Sequence, residues 1–174
     1  MTHPEPPSGA DAALRVAGLL EAALYGADLE ALERFYVDVL GLTPVARTPG
    51  RNAVLRCAHS ALILFDPAAS DAPGGAFPPH GARGPGHVAF VVPGDELPAW
   101  RDRLAAHGVA VESEYPWPEG GRSVYFRDPA GNLVEIDSPG KDRLPQDMRD
   151  QLKQLWDFNP HTEEQMSARL FVYE

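Results

Sequence analysis

The chain has 174 residues, 44% of them hydrophobic, and a formal charge of −10 from 25 acidic and 15 basic side chains; this length suits one compact domain or two small halves sharing a core. The acidic balance argues against nucleic acid or an anionic membrane as partner, because both need a basic footprint, and it suits a small-molecule ligand, a cationic one included. No apolar run is long enough to cross a bilayer, the N-terminus lacks the basic and apolar regions of a signal peptide, and the single cysteine, Cys57, excludes an internal disulfide, so a cytoplasmic location is expected.

Residues 1–14 are rich in Pro, Ser, Gly and Ala and are expected to form a loose tail. Over 16–25 the pattern suits a strand, with Leu20, Ala22 and Leu24 on one side and Leu19, Glu21, Ala23 and Tyr25 on the other. Asp28 is placed to cap a helix whose apolar positions, among them Leu29, Leu32, Phe35, Tyr36 and Val39, recur at helical spacing up to Gly41, a natural C′ residue. Three short strands follow, around 43–47, 51–57 and 61–65, which makes this unit βαβββ. Residues 68–85, dense in Pro, Gly and Ala, read as a connector.

The unit then repeats. A strand at 87–92 precedes a helix marked by Leu97, Trp100 and Leu104, and further strands are expected at 109–112, 123–127 and 132–137. Asp128-Pro129-Ala130-Gly131-Asn132 is a hairpin signal, since Pro presets φ and Gly accepts the left-handed conformation of a reversal. Beyond the repeat, Met148, Leu152, Leu155 and Trp156 mark an amphipathic C-terminal helix within a 140–174 extension. The helix segments 28–41 and 95–108 are of equal length, and each follows a polar residue in the first strand of its unit, Glu21 in one and His87 in the other. Another candidate ligand, Glu135, lies in the last strand of the second unit. A duplicated fold with polar residues at equivalent points suggests one cavity lined from both halves.

The stretches Glu21…Asp28-Leu29…Phe35-Tyr36…Leu40-Gly41, Gly86-His87-Val88-Ala89-Phe90 and Tyr125-Phe126-Arg127-Asp128-Pro129…Gly131-Asn132-Leu133-Val134-Glu135-Ile136 resemble the vicinal oxygen chelate superfamily. That group includes glyoxalase I, fosfomycin-resistance transferases, methylmalonyl-CoA epimerase, extradiol dioxygenases and bleomycin-resistance proteins. The resemblance covers residues 16–139 and implies an α+β fold, in which two βαβββ modules (15–67 and 86–139) form a curved mixed sheet around a cup-shaped cavity that is often completed by homodimerisation. It also implies metal ligands in the first and last strands of each module, which fall on Glu21, His87 and Glu135; the fourth position falls on Ile63, which cannot bind a metal. That departure counts against glyoxalase I activity in the strict sense.

Strand alternation puts Glu21, Ile63, His87 and Glu135 on the concave face, with Ala23 and Ala89 leaving room for a substrate. One imidazole and two carboxylates leave about three of six octahedral positions open, and hard oxygen ligands favour Mn²⁺, Mg²⁺, Fe²⁺ or Ni²⁺. Such a divalent metal ion would act as a Lewis acid on adjacent oxygens of a small oxygenated metabolite, in a lyase, isomerase, transferase or dioxygenase of the glyoxalase-like group. Glu21 and Glu135 are then catalytic through the metal, and Tyr25 and Asp137 on the same face are candidates for proton transfer. Ile63, Phe65 and Ala89 line the cavity, and Trp117 and Arg122, in a loop that lies near the cavity mouth in this family, are candidates for substrate contact.

Plainer roles exist for the same residues: a satisfied strand histidine for His87, an arginine-paired carboxylate for Glu135, and a polar residue kept by a metal-free relative for Glu21. The competing function is a metal-free, bleomycin-resistance-like protein that sequesters a cationic small molecule, which the charge of −10 permits.

Overall fold

The computed structural model describes residues 14, 16, 18–118, 120–140 and 150. Two βαβββ modules follow one another. The first contains β1 (Glu21–Tyr25), α1 (Leu29–Arg34) continuing as a π turn (Phe35–Val39), β2 (Thr43–Thr48), β3 (Asn52–Cys57) and β4 (Ser60–Phe65). A short helix, α2 (Pro67–Asp71), opens the connection to the second. That module contains β5 (His87–Val91), a 3₁₀ turn (Gly94–Glu96) leading into α3 (Leu97–Ala106), β6 (Val111–Pro116), β7 (Gly121–Arg127) and β8 (Leu133–Pro139). Each module makes a four-stranded mixed sheet, ordered β1-β4-β3-β2 and β5-β8-β7-β6, with the first and last strands parallel and the others antiparallel.

The duplication extends to register. Ala23 stands beside Ile63 in the first sheet as Ala89 stands beside Glu135 in the second, so Glu21 and His87 occupy equivalent points, as do Ile63 and Glu135. Both helices close on a glycine with positive φ, Gly41 at 75° and Gly108 at 69°. At α3 the closure is a Schellman motif, with Val109 N–H donating to Leu104 C=O at 2.9 Å and Gly108 N–H to Ala105 C=O at 3.0 Å. In the first module the wider π turn lets adjacent Phe35 and Tyr36 both reach the core along with Val39. Asp28 caps α1 as its position implied, its side chain accepting from Ala31 N–H at 2.9 Å.

Several boundaries differ from the sequence reading. The first strand starts at Glu21 and not at residue 16; Leu19 and Leu20 are 72% and 57% exposed, with no apolar surface to hold them. The strand expected from residue 109 begins at Val111, because Val109 is engaged in closing α3. A short helix enters the expected connector from the end of the first module: Asp66 caps α2 by accepting from Ala69 N–H at 2.8 Å, with Pro67 in its first turn. The N-terminal tail apart from Leu14, and the helical stripe at Met148, Leu152, Leu155 and Trp156, lie outside the described residues.

One hydrophobic core serves both modules. It takes Leu24, Leu62 and Leu64 from the first sheet and Val124, Val134 and Ile136 from the second, together with the buried faces of α1 and α3. These are the side chains that alternate with Glu21, Ile63, His87 and Glu135, so the helix-bearing faces of the sheets turn toward a shared interior. Among the described residues no helix is long and apolar enough to cross a membrane.

Candidate metal centre

The second sheet brings two of the expected ligands together. His87, the first residue of β5, presents Nε2 to Oε2 of Glu135 in the neighbouring β8 at 3.2 Å. The ring is oriented by its other nitrogen, Nδ1, which lies 3.3 Å from Leu133 C=O. A carbonyl only accepts, so Nδ1 carries a proton; Nε2 then faces the carboxylate either as the donor of an ion pair or as a lone pair that can share a cation with it.

The distance tests the fit of a metal ion. Donor atoms at neighbouring corners of an octahedron with bonds of about 2.1 Å lie about 3.0 Å apart, close to the 3.2 Å that separates Nε2 from Oε2. The set is one imidazole and one hard oxygen, suited to a divalent first-row ion or Mg²⁺. His87 and Glu135 fit such an ion as two adjacent ligands.

Glu135 is only 6% exposed, and a carboxylate buried to that extent needs compensation. Its Oε1 accepts from Ser123 Oγ at 2.5 Å and from Tyr125 OH at 3.1 Å, which leaves Oε2 for His87. These bonds come from neutral hydroxyls on β7, the strand paired with β8, where Tyr125 stands directly opposite Glu135. Burial, and then the Glu135 charge beside it, push the Tyr125 phenol above its ordinary value, which keeps it a donor. Neither Ser123 nor Tyr125 emerged as a site residue from sequence. The signal was present in the hairpin itself, because a reversal centred near Ala130 sets residue 125 opposite residue 135.

Glu21 is not part of this group in a single chain. It stands exposed at the start of β1, and among the described residues no set of three His, Cys, Asp or Glu side chains could hold a metal ion. The cause is the shared core: packing the helix-bearing faces inward sends the two opposite faces in different directions. Each module therefore presents an open half-cup, one carrying Glu21 and Ile63 and the other His87 and Glu135.

The other expected site residues divide in the same way. Ile63, 7% exposed, is in the first half-cup. Tyr25 and Phe65 lie at its far end, four residues along β1 from Glu21, or about 13 Å. There Tyr25 stacks on Phe65 with centroids 5.9 Å apart, and its OH meets His80 Nδ1 at 2.8 Å, so this end is closed by the connector. Ala89 is exposed in the second half-cup beside Glu135, and Asp137, partly buried, stands one alternate position further along β8. Trp117 reaches over the same face, its Nε1 donating to Ser123 Oγ at 2.7 Å. Arg122 alternates with Ser123 and so projects to the opposite side of β7, where it lies 3.3 Å from Glu114, which also takes two bonds of 2.6 Å from Arg101.

Known proteins share the fold. A lactoylglutathione lyase structure from Agrobacterium tumefaciens is 41% identical, with a TM-score of 0.68 over 71% of this chain and 94% of that one. The fosfomycin resistance protein FosX from Listeria monocytogenes, in complex with Mn(II) and 1S,2S-dihydroxypropylphosphonic acid, is 21% identical at a TM-score of 0.58, over 74% of this chain and 95% of that one, and shares the fold. Biphenyl-2,3-diol 1,2-dioxygenase 3 from Rhodococcus globerulus is 32% identical over 114 residues, 62% of this chain; the chain spans 56% of that relative's length. The profile of the Glyoxalase/Bleomycin resistance protein/Dioxygenase superfamily matches residues 18–136. That match runs from before β1 into β8, and the chain belongs to this superfamily.

Proposed function

We propose that the protein is a metal-dependent enzyme of the glyoxalase-like group, acting on a small oxygenated metabolite that presents two adjacent oxygens. The observation that carries this reading is the His87–Glu135 pair, 3.2 Å apart, with Oε1 of Glu135 already occupied by Ser123 and Tyr125. His87 and Glu135 would hold the ion, and Glu21 from the other type of half-cup would complete a set of three. When bound, the ion supplies Lewis-acid polarisation of the substrate oxygens. The chain's own residues would do the rest: the backbone around Ala89 leaves space beside Glu135, Tyr125 keeps the carboxylate fixed, and Asp137 lies on the face where a proton would be taken or returned. The likeness to a lactoylglutathione lyase supports the glyoxalase-like group, and hydrophobic Ile63 at the fourth ligand position speaks for a chemistry other than that enzyme's.

Because one chain holds Glu21 apart from His87 and Glu135, the working form on this reading is a homodimer, with the first half-cup of one copy facing the second half-cup of the other. Calorimetric titration with Mn²⁺, Fe²⁺, Ni²⁺ and Mg²⁺ tests the metal, and complementation tests the assembly. Glu21→Ala and His87→Ala proteins are each expected to lose tight binding. Mixed, unfolded together and refolded, they are expected to recover it in the hybrid that joins an intact Glu21 to an intact His87 and Glu135. Absence of divalent-ion binding in the unmodified protein, alongside tight binding of a cationic glycopeptide, would favour the metal-free sequestering protein instead.

A further inference from the structure

The Glu135 carboxylate is held at one end of a hydrogen-bond chain that starts in the β6–β7 loop. Trp117 Nε1 donates to Ser123 Oγ at 2.7 Å, and Ser123 Oγ donates to Glu135 Oε1 at 2.5 Å. The direction of this chain is dictated by its members. An indole N–H only donates and an ionised carboxylate only accepts, so the single hydroxyl proton of fully buried Ser123 must go to Glu135. Tyr125 adds a second bond to the same oxygen at 3.1 Å. Both donors act on Oε1, which sets the carboxylate with Oε2 toward His87.

Trp117 is itself seated by its loop. Its backbone N–H donates to Gly121 C=O at 3.2 Å, its C=O accepts from Gly120 N–H at 3.0 Å, and its ring meets Tyr115 edge-on with centroids 4.8 Å apart.

We propose that Trp117 is a positioning residue for the metal ligand Glu135, acting through the Ser123 hydroxyl, so that the β6–β7 loop and the metal centre move as one unit. This rests on the metal-centre reading above. A donor to Ser123 Oγ polarises its O–H and strengthens the next bond in the chain, and it occupies a lone pair that would otherwise leave the hydroxyl free to rotate. Groups that orient a metal ligand in this way are commonly worth about 10- to 100-fold in metal affinity. The position of Trp117 makes the loop a sensor of what occupies the half-cup, and makes the half-cup sensitive to the loop.

The test uses the full chain and Mn²⁺ titration of four proteins: unmodified, Trp117→Phe, Ser123→Ala and the double variant. Ser123→Ala is expected to weaken binding about 10- to 100-fold, and Trp117→Phe by about threefold or more. The double variant should bind no more weakly than Ser123→Ala alone, since Trp117 has nothing to act on once the hydroxyl is gone. Unchanged Mn²⁺ affinity in Trp117→Phe, or a Trp117→Phe loss that adds in full to that of Ser123→Ala, overturns the proposal. A second measurement does not depend on Ser123→Ala folding. In protein carrying ¹⁵N-labelled tryptophan, the Trp117 indole N–H resonance, assigned by its loss in Trp117→Phe, is expected to shift along a saturation curve as diamagnetic Mg²⁺ is added. A stationary resonance while calorimetry shows Mg²⁺ binding overturns the relay alone. An unmodified protein that binds neither ion overturns the metal-centre reading and the relay with it.

Discussion

One contact between the two modules is buried and polar, and its removal has a calculable cost. Tyr36, fully buried in the first module, donates to Asp128 Oδ2 in the β7–β8 turn at 2.9 Å, across 92 residues of sequence. Asp128, 5% exposed, also accepts from the backbone N–H groups of Ala130 and Asn132 at 2.9 Å each and from Asn132 Nδ2 at 2.8 Å. Burial, and then the Asp128 charge, push the Tyr36 phenol far above its ordinary value, so it remains a donor throughout the working pH range. Tyr36→Phe deletes one of these four bonds and orphans nothing, since Oδ2 keeps Asn132. A hydrogen bond to a charged group contributes about 2 kcal/mol, which for a folded unit of roughly 120 residues lowers Tm by about 8 °C. Asp128→Ala is different in kind, because it strands the Tyr36 hydroxyl in the core and unpins the turn, at a cost of about 3–5 kcal/mol. The double variant should therefore be more stable than Asp128→Ala by about 1 kcal/mol, the stranded hydroxyl having been removed. Urea unfolding followed by circular dichroism measures all three at constant m. Losses that simply add, or an Asp128→Ala cost no greater than that of Tyr36→Phe, would refute the assignment of this bond as a buried tie between modules.

Two further outcomes are expected. Gly121 has φ of 90°, and a Cβ there would lie 2.1 Å from Ser138 C=O and 2.5 Å from Gly140 N, so Gly121→Ala should cost about 3 kcal/mol or more. Gly50→Ala, at φ 70° with open space around it, should cost only about 1–2 kcal/mol, and equal Tm losses would show that the backbone approach at Gly121 is unimportant. The Arg101 hydrogen bond, and after it the Arg122 contact, hold the Glu114 carboxyl below its ordinary value. A depressed carboxylate contributes stability above its unfolded-state pKa, about 4.3, and loses it as pH falls through the lower folded value. Glu114→Gln should accordingly flatten the acid limb of Tm against pH below about 4.3 while costing no more than about 1 kcal/mol at neutral pH, as expected of a solvent-accessible pair. An acid limb as steep in Glu114→Gln as in the parent would assign that limb to other carboxylates.

Much of the architecture was legible because it is written in short-range pattern. Asp28 and Gly41 bracket the first helix for reasons contained within a turn of chain, and Pro129 with Gly131 announces the hairpin. The period-two alternation assigned Glu21, Ile63, His87 and Glu135 to one kind of face, and the paired registers agree. Asp128 was read as turn chemistry only. Its role as acceptor for Tyr36 depends on two segments meeting in space, which no local pattern records. The start of β1 was placed too early for a related reason, since Leu19 and Leu20 carry the alternation but find nothing to bury against.

Side-chain period and turn chemistry, both properties of neighbouring residues, thus specify two copies of one module and the face on which each polar residue stands. Packing settled how those faces are disposed. Burial of apolar area has no preferred direction and rewards whichever surfaces can be brought together. Here the apolar side chains on the helix-bearing sides of both sheets share one interior, so their other sides turn away from each other. His87 and Glu135 meet because they sit on adjacent paired strands, whereas Glu21, equivalent to His87 in its own module, is carried to the other side of the molecule's core.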